Sequence, residues 1–264
     1  MIFTRLTLQE VIKEVENNGH YLFFNDPDEE KYLKVLLAMA FATMAKSDSL
    51  YFSAENLVSN AKVALEVCRA LAVQGGPPEK HFYTSNFFAS VLFANVGVIR
   101  GILREDQGDE YLVNKNTLQK ILPNHTDSIL WKHRRQRSII YLNNNKFTSR
   151  TLDLNVVSSA IENSDFSLDV DLNSLSEFDK LIRSTFIIGF LSGVNFERKL
   201  VQYYHSADEG GALSNLGYKN VKEFRENFKD FFWGKLYGEA AETLELLKTT
   251  ENGKYYVSSL FQHV

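Results

Sequence analysis

Between Asp127 and Asp153 the chain carries Lys132, Arg134, Arg135, Arg137, Lys146 and Arg150 and no acidic residue. A nucleic-acid backbone is held by several Arg or Lys acting together on neighbouring phosphates, and this stretch has that density. Trp131 and Tyr141 lie within it and offer rings for stacking on bases. The whole chain has a net charge of −4, so this is a basic segment on an otherwise acidic protein. The residues that follow, 151–179, carry Asp153, Glu162, Asp165, Asp169, Asp171, Glu177 and Asp179 and no Lys or Arg. Two readings therefore stand side by side. The six cations contact DNA or RNA phosphates, or the acids neutralise them within the fold or across a dimer.

A second constellation is Arg198 with His205, seven residues apart in a helix-like run, so both fall on one face. An Arg to hold a phosphate and a His to move a proton resemble the R-x(4–6)-H motif of the HEPN ribonucleases. That family places its motif on a helix of an all-α bundle, usually at a dimer interface, so the resemblance implies RNA cleavage by Arg198 and His205. It covers these two positions alone, and Lys199 stands where the family often has a small polar residue. The plain alternative is an exposed Arg and a His favoured near a helix C-terminus.

Other patterns fail on their geometry. Asp169, Asp171 and Asn173 begin like a calcium loop, but Ser174 and Lys180 occupy the positions that need Gly and Glu. "PDEEK" (27–31) has the residue types of a nuclease metal site on adjacent positions, where they suit a helix N-terminus instead. No Walker A loop, G-x-G-x-x-G, G-x-S-x-G or H-E-x-x-H is present. No metal or cofactor is expected. The single Cys68 lies in an apolar helical run and reads as a buried thiol.

These residues must be positioned by a chain of 264 residues, 44% hydrophobic and 13% aromatic, with 4 prolines. That is long enough for one or two domains with a substantial core. The most apolar runs, 35–45 and 185–194, fall short of the roughly 20 residues that cross a bilayer. The first residues lack the apolar core of a signal peptide. A cytoplasmic protein with no membrane contact is expected.

Apolar spacing predicts helices over 7–16, 29–46, 53–72, 85–104, 175–204, from 220, and over 238–248. Strands are expected at 20–24, 49–53 and 110–113, with a hairpin over 138–154 turning at Asn143–Lys146. Three segments, "EVENNGHYLFF", "LREDQGDEYLV" and "LKTTENGKYYV", share a helix, a polar Gly turn and an aromatic-bearing strand. They are either the wings of winged-helix-like units or ordinary helix ends followed by strands. The expectation is a predominantly helical α+β protein with short β-hairpins, divided into 1–145, helical and winged-helix-like, and 146–264, built on a long central helix. Its expected function is non-enzymatic macromolecular binding. The basic hairpin contacts nucleic-acid phosphates and the acidic surface contacts protein partners, with a homodimer or a protein-binding adaptor subunit as further forms.

Overall fold

The computed structural model describes residues 2–17, 27–76, 84–145, 152–193, 195–213 and 217–264. It is predominantly helical, with one small antiparallel hairpin among the described residues. The longer helices are α1 (Ile2–Asn17), α2 (Pro27–Met44), α3 (Ala54–Val73), α4 (Thr84–Phe93), α5 (Arg134–Asn144), α6 (Leu154–Asn163), α7 (Glu177–Leu191) and α8 (Phe196–Glu209). Short α9 (Val221–Glu226) and α10 (Phe228–Phe231) run through a π-helical turn into α11 (Tyr237–Leu247), and α12 (Glu251–Phe261) closes the chain. The hairpin is β1 (Glu110–Asn114) with β2 (Thr117–Lys120).

Helices α3 and α7 lie at the centre. α3 packs against α1, α2, α4, α7, α11 and α12, and α7 also touches α6 and α8. One hydrophobic cluster reaches from Val11 to Leu260, so elements on both sides of residue 145 share it. The α3–α7 crossing is close because position 189 is glycine. A Cβ there would stand 2.1 Å from the Asn60 side-chain oxygen.

The helix ends follow local chemistry. Ser53 caps α3 by accepting from the Asn56 amide, and Asn220 caps α9 by accepting from the Glu223 amide, both at positions the sequence marks. The acids of the "PDEEK" stretch occupy the first turn of α2. Glu29 turns inward there and accepts from the Ser85 amide and hydroxyl.

Several expectations are corrected. Residues 138–144 belong to helix α5 and are not a strand, and residues 146–151 of the expected hairpin lie outside the described residues. Arg134, Arg137, Ser138 and Leu142 are its buried positions. Their i, i+3, i+4, i+8 spacing is helical, and it is hidden when Arg is counted as a surface residue. The expected helix over 175–204 is two helices, α7 ending at Leu191 and α8 starting at Phe196, with Gly193 at φ +148 between them. The first of them is capped by Ser176, which accepts from the Asp179 amide. The helix expected over 85–104 stops at Phe93. Residues 49–53 form no strand, and 50–53 are bends. The 20–24 strand lies outside the described residues, and only "EYLVN" among the three joints is a described strand.

The C-terminal stretch "ENGKYYVSSLF" is helix α12, not a wing strand. Thr250 caps it, accepting from the Gly253 amide while donating to Glu66 on α3. Gly253 is required by close packing, since a Cβ would stand 2.0 Å from the Leu247 carbonyl oxygen. Here Asn-Gly opens a helix instead of closing one.

Lys199 on α8 is buried, and its ammonium donates to the Gly189 carbonyl (2.8 Å) and the Ser59 hydroxyl (3.0 Å). Burial lowers its pKa to about 8, with Glu55 pulling the other way. The unfolded chain then holds this proton more tightly than the folded one. The resulting penalty is complete below about pH 8 and fades towards the ordinary lysine value. Relative to Lys199→Met, the wild type should therefore gain stability as pH rises from about 8 to 10.5, by at most ~1.4 kcal/mol per unit. Urea melts of both proteins across that range check this, and parallel curves would contradict it.

Candidate functional site

Helix α5 carries four of the six cations singled out in the sequence, counting Lys132 just before it, and the structure directs most of them inward. Arg137 is 0% exposed. Its guanidinium donates to both Asp106 carboxylate oxygens (3.0 and 2.9 Å) and to the carbonyls of Gly97 (2.6 Å), Ile99 (2.9 Å) and Leu112. All five N–H donors are thereby satisfied, the condition under which a charged group is tolerated in an interior. Arg134 is also buried. It donates to Asn95 and the Trp131 carbonyl, pairs with Asp165 at 2.8 Å, and lies over the rings of Phe52 and Trp131. Arg135 binds the Glu162 carbonyl and carboxylate. Burial lowers its guanidinium below the ordinary value.

Asp165 and Glu162 belong to the acidic stretch, so part of that stretch does lie over the basic one. Burial would raise the Asp165 carboxyl, but the charge of Arg134, a hydrogen bond from Ser167 and the charge of Arg135 hold it below the usual range. Of the six cations, Lys132 is exposed, and Lys146 and Arg150 lie outside the described residues. Trp131 and Tyr203 stack edge to face in the core, 5.1 Å between centroids.

Arg137 ties α5 to the segment 97–112, and that segment forms one wall of an open cleft of about 460 Å³. The other walls are the end of α2 with the turn after it (Thr43, Lys46, Asp48), Asp127, and Tyr141 of α5. Asp48 and Asp127 clasp each other: the Asp48 amide donates to the Asp127 carboxylate (3.2 Å), and the Asp127 amide donates to that of Asp48 (2.6 Å). Arg100 closes the clasp. Its Nε meets Asp127 at 3.0 Å and a terminal nitrogen meets Asp48 at 2.7 Å. Burial would lower the Arg100 guanidinium, but the Asp127 hydrogen bond and the Asp48 charge outweigh it and raise its pKa. The cleft thus sets Lys46, Arg100 and, behind Asp106, Arg137 against Asp48, Asp106 and Asp127, a balanced set of charges. Thr43, Tyr111 and Tyr141 add hydroxyls. Beside it stands the hairpin. β1 packs on α5, while all four residues of β2 are exposed.

Sequence reading missed Asp48, Arg100, Asp106 and Asp127, which are isolated in the chain and join only through the fold. Among the described residues no group of His, Cys, Asp or Glu is arranged to hold a metal, and no helix is long and apolar enough to cross a membrane. Arg198 and His205 do share α8, with Arg198 paired to Glu55 and His205 exposed. Cys68 is buried and free, and burial raises its thiol pKa. Residues 2–264 match the Npun_R2479-like family, and the chain belongs to it. No curated protein and no solved structure matches the chain.

The wall of the cleft depends on a close approach at Gly97. A Cβ there would stand 2.1 Å from the Arg134 carbonyl oxygen and 2.4 Å from the Ser138 nitrogen, both backbone atoms of α5. Gly97→Ala should destabilise the fold by about 3 kcal/mol in chemical denaturation. Gly238→Ala, with open space around the added methyl, should be neutral or slightly stabilising. Equal effects of the two would contradict the α5 contact.

Proposed function

We propose that this protein is a non-enzymatic binding protein that holds a protein partner across the face formed by the cleft and the β hairpin. The observation that carries this reading is the hairpin's outer strand. β2 is exposed at every residue, Leu118 is 50% exposed, and Leu122 just beyond it is 59% exposed. Exposed apolar side chains beside an unpaired strand edge favour pairing with another chain. The adjoining cleft adds balanced charge, which suits a polar side chain of a partner better than a run of phosphates. The cleft carboxylates Asp48, Asp106 and Asp127 are hydrogen-bonded to arginines or backbone amides, an arrangement that fixes shape. The phosphate-binding alternative draws its support from Lys132, the exposed cation of α5's flank, with Arg134 and Arg137 turned into the core.

The test places a photo-reactive amino acid at Leu118, at Leu122 or at Lys132 of the full chain in its native cells. The proposal expects a polypeptide cross-linked from 118 and 122 and lost when Asp48→Arg is added at the cleft. Nucleic acid captured from 132, with nothing from 118 or 122, would overturn it. Binding of a fluorescent duplex with a steep salt dependence would point the same way.

A further inference from the structure

The hydrogen bonds within the cleft leave its donors and acceptors unequally used. Asp106 accepts from the Leu103 and Leu112 amides and from two N–H groups of Arg137. A carboxylate has about four lone-pair positions, so Asp106 is filled. Asp127 accepts from the Asp48 amide and from the amide and Nε of Arg100, and has little capacity left. The donors are in surplus. A guanidinium carries about five N–H groups. Arg100 directs one to Asp127 and one to Asp48, and the remainder meet no acceptor among the described residues. Lys46, exposed just past the end of α2, pairs with no acid among the described residues. Asp48 follows two residues later and is bound to Arg100 at 2.7 Å, so Lys46 and the outer edge of Arg100 border the same space.

Resting on the protein-binding role given above to the cleft and hairpin, we propose that the partner seats an Asp or Glu carboxylate here, between Lys46 and Arg100. A carboxylate brings acceptors alone, which is what a surplus of charged donors lacks. A planar guanidinium takes a carboxylate through parallel N–H bonds, and Asp48 and Asp127 hold the plane of Arg100 fixed before anything binds. Little ordering is then left to oppose binding. An ammonium from the partner would meet only Asp48, which Arg100 already holds, and would be repelled by Arg100 and Lys46. The lining also favours an acidic side chain over a bare phosphate. Ile102 and Tyr111 stand beside the charged groups, so the methylene stem of a Glu has apolar surface to cover. A volume of about 460 Å³ admits a whole side chain. Tyr111 belongs to β1, so the cleft opens directly beside the hairpin.

The probe is N-acetyl-glutamate N-methylamide, a blocked Glu residue, titrated into the full chain and followed by NMR at the Arg100 Nε–H signal. The expected result is a saturable shift with a Kd on the order of 1–10 mM, the strength of a fragment of this size. The blocked Lys analogue and inorganic phosphate should each bind about fivefold more weakly or worse. Lys46→Met, at an exposed position, should weaken the blocked Glu about fivefold, and Lys46→Arg should keep it. No shift with the blocked Glu overturns the proposal. So does tighter binding of the blocked Lys or of phosphate, and so does binding unmoved by Lys46→Met. A second arm uses the cross-link from Leu118, whose yield Lys46→Glu should cut about tenfold. A cross-link left intact by Lys46→Glu overturns the carboxylate and leaves the partner-binding role standing. Saturable binding of the blocked Glu, with no polypeptide captured from 118 or 122, removes that role and leaves the carboxylate site.

Discussion

A guanidinium with no solvent exposure organises one side of this protein. Arg137 draws together a carboxylate and three carbonyls from a segment that has little regular structure of its own. Such a segment has few backbone partners, and its carbonyls would be stranded in the interior without a donor. The arginine supplies those donors from a helix, the most rigid platform available. Once it is in place, Gly97 can lie against α5, Ser138 can accept from the Gly97 amide, and Asp106 can fix the start of the hairpin through the Leu112 amide. The cleft wall is a consequence of that arrangement.

The same device recurs on the far side of the core. Arg183 of α7 is buried and donates to Glu239 twice and to the carbonyls of Asn163, Asp165 and Leu168. It ties the loop after α6 to α11. Arg134 completes the set through Asp165. Buried ion pairs of this kind add little net stability compared with apolar packing, because both charges must leave water. We attribute to them the fixing of loop conformation, which an apolar contact would leave less defined.

This explains what the sequence revealed and what it concealed. α1, α2, α3 and the helix from 220 were legible because most of their buried residues are apolar and recur at helical spacing, Glu29, Asn60 and Glu66 being the buried exceptions. The part of α5 from Ser138 reads as a strand because "SIIYL" has strand-forming residues and because three of the helix's four inward positions are arginine or serine. A hydrophobicity pattern scores those as surface. The cation cluster was visible, as was its acidic complement, yet their partners were not. Asp106 and the carbonyls of 97–112 are distant in the chain and meet Arg137 only in the folded state. The C-terminal joint failed for a related reason. Asn-Gly has one local meaning as a helix stop, but Gly253 answers to a contact with Leu247 that no local rule contains. The Asp48–Arg100–Asp127 clasp had no sequence trace at all.

The central claim is that Arg137 is an interior staple and not a surface cation. A double-mutant cycle with Asp106, read by chemical denaturation, tests it most directly. Arg137→Leu and Asp106→Leu should each destabilise by about 3–5 kcal/mol, since each strands a buried charge. The double variant should lose far less than the sum. Single losses below about 1 kcal/mol with no coupling, the behaviour of an exposed pair, would contradict the account.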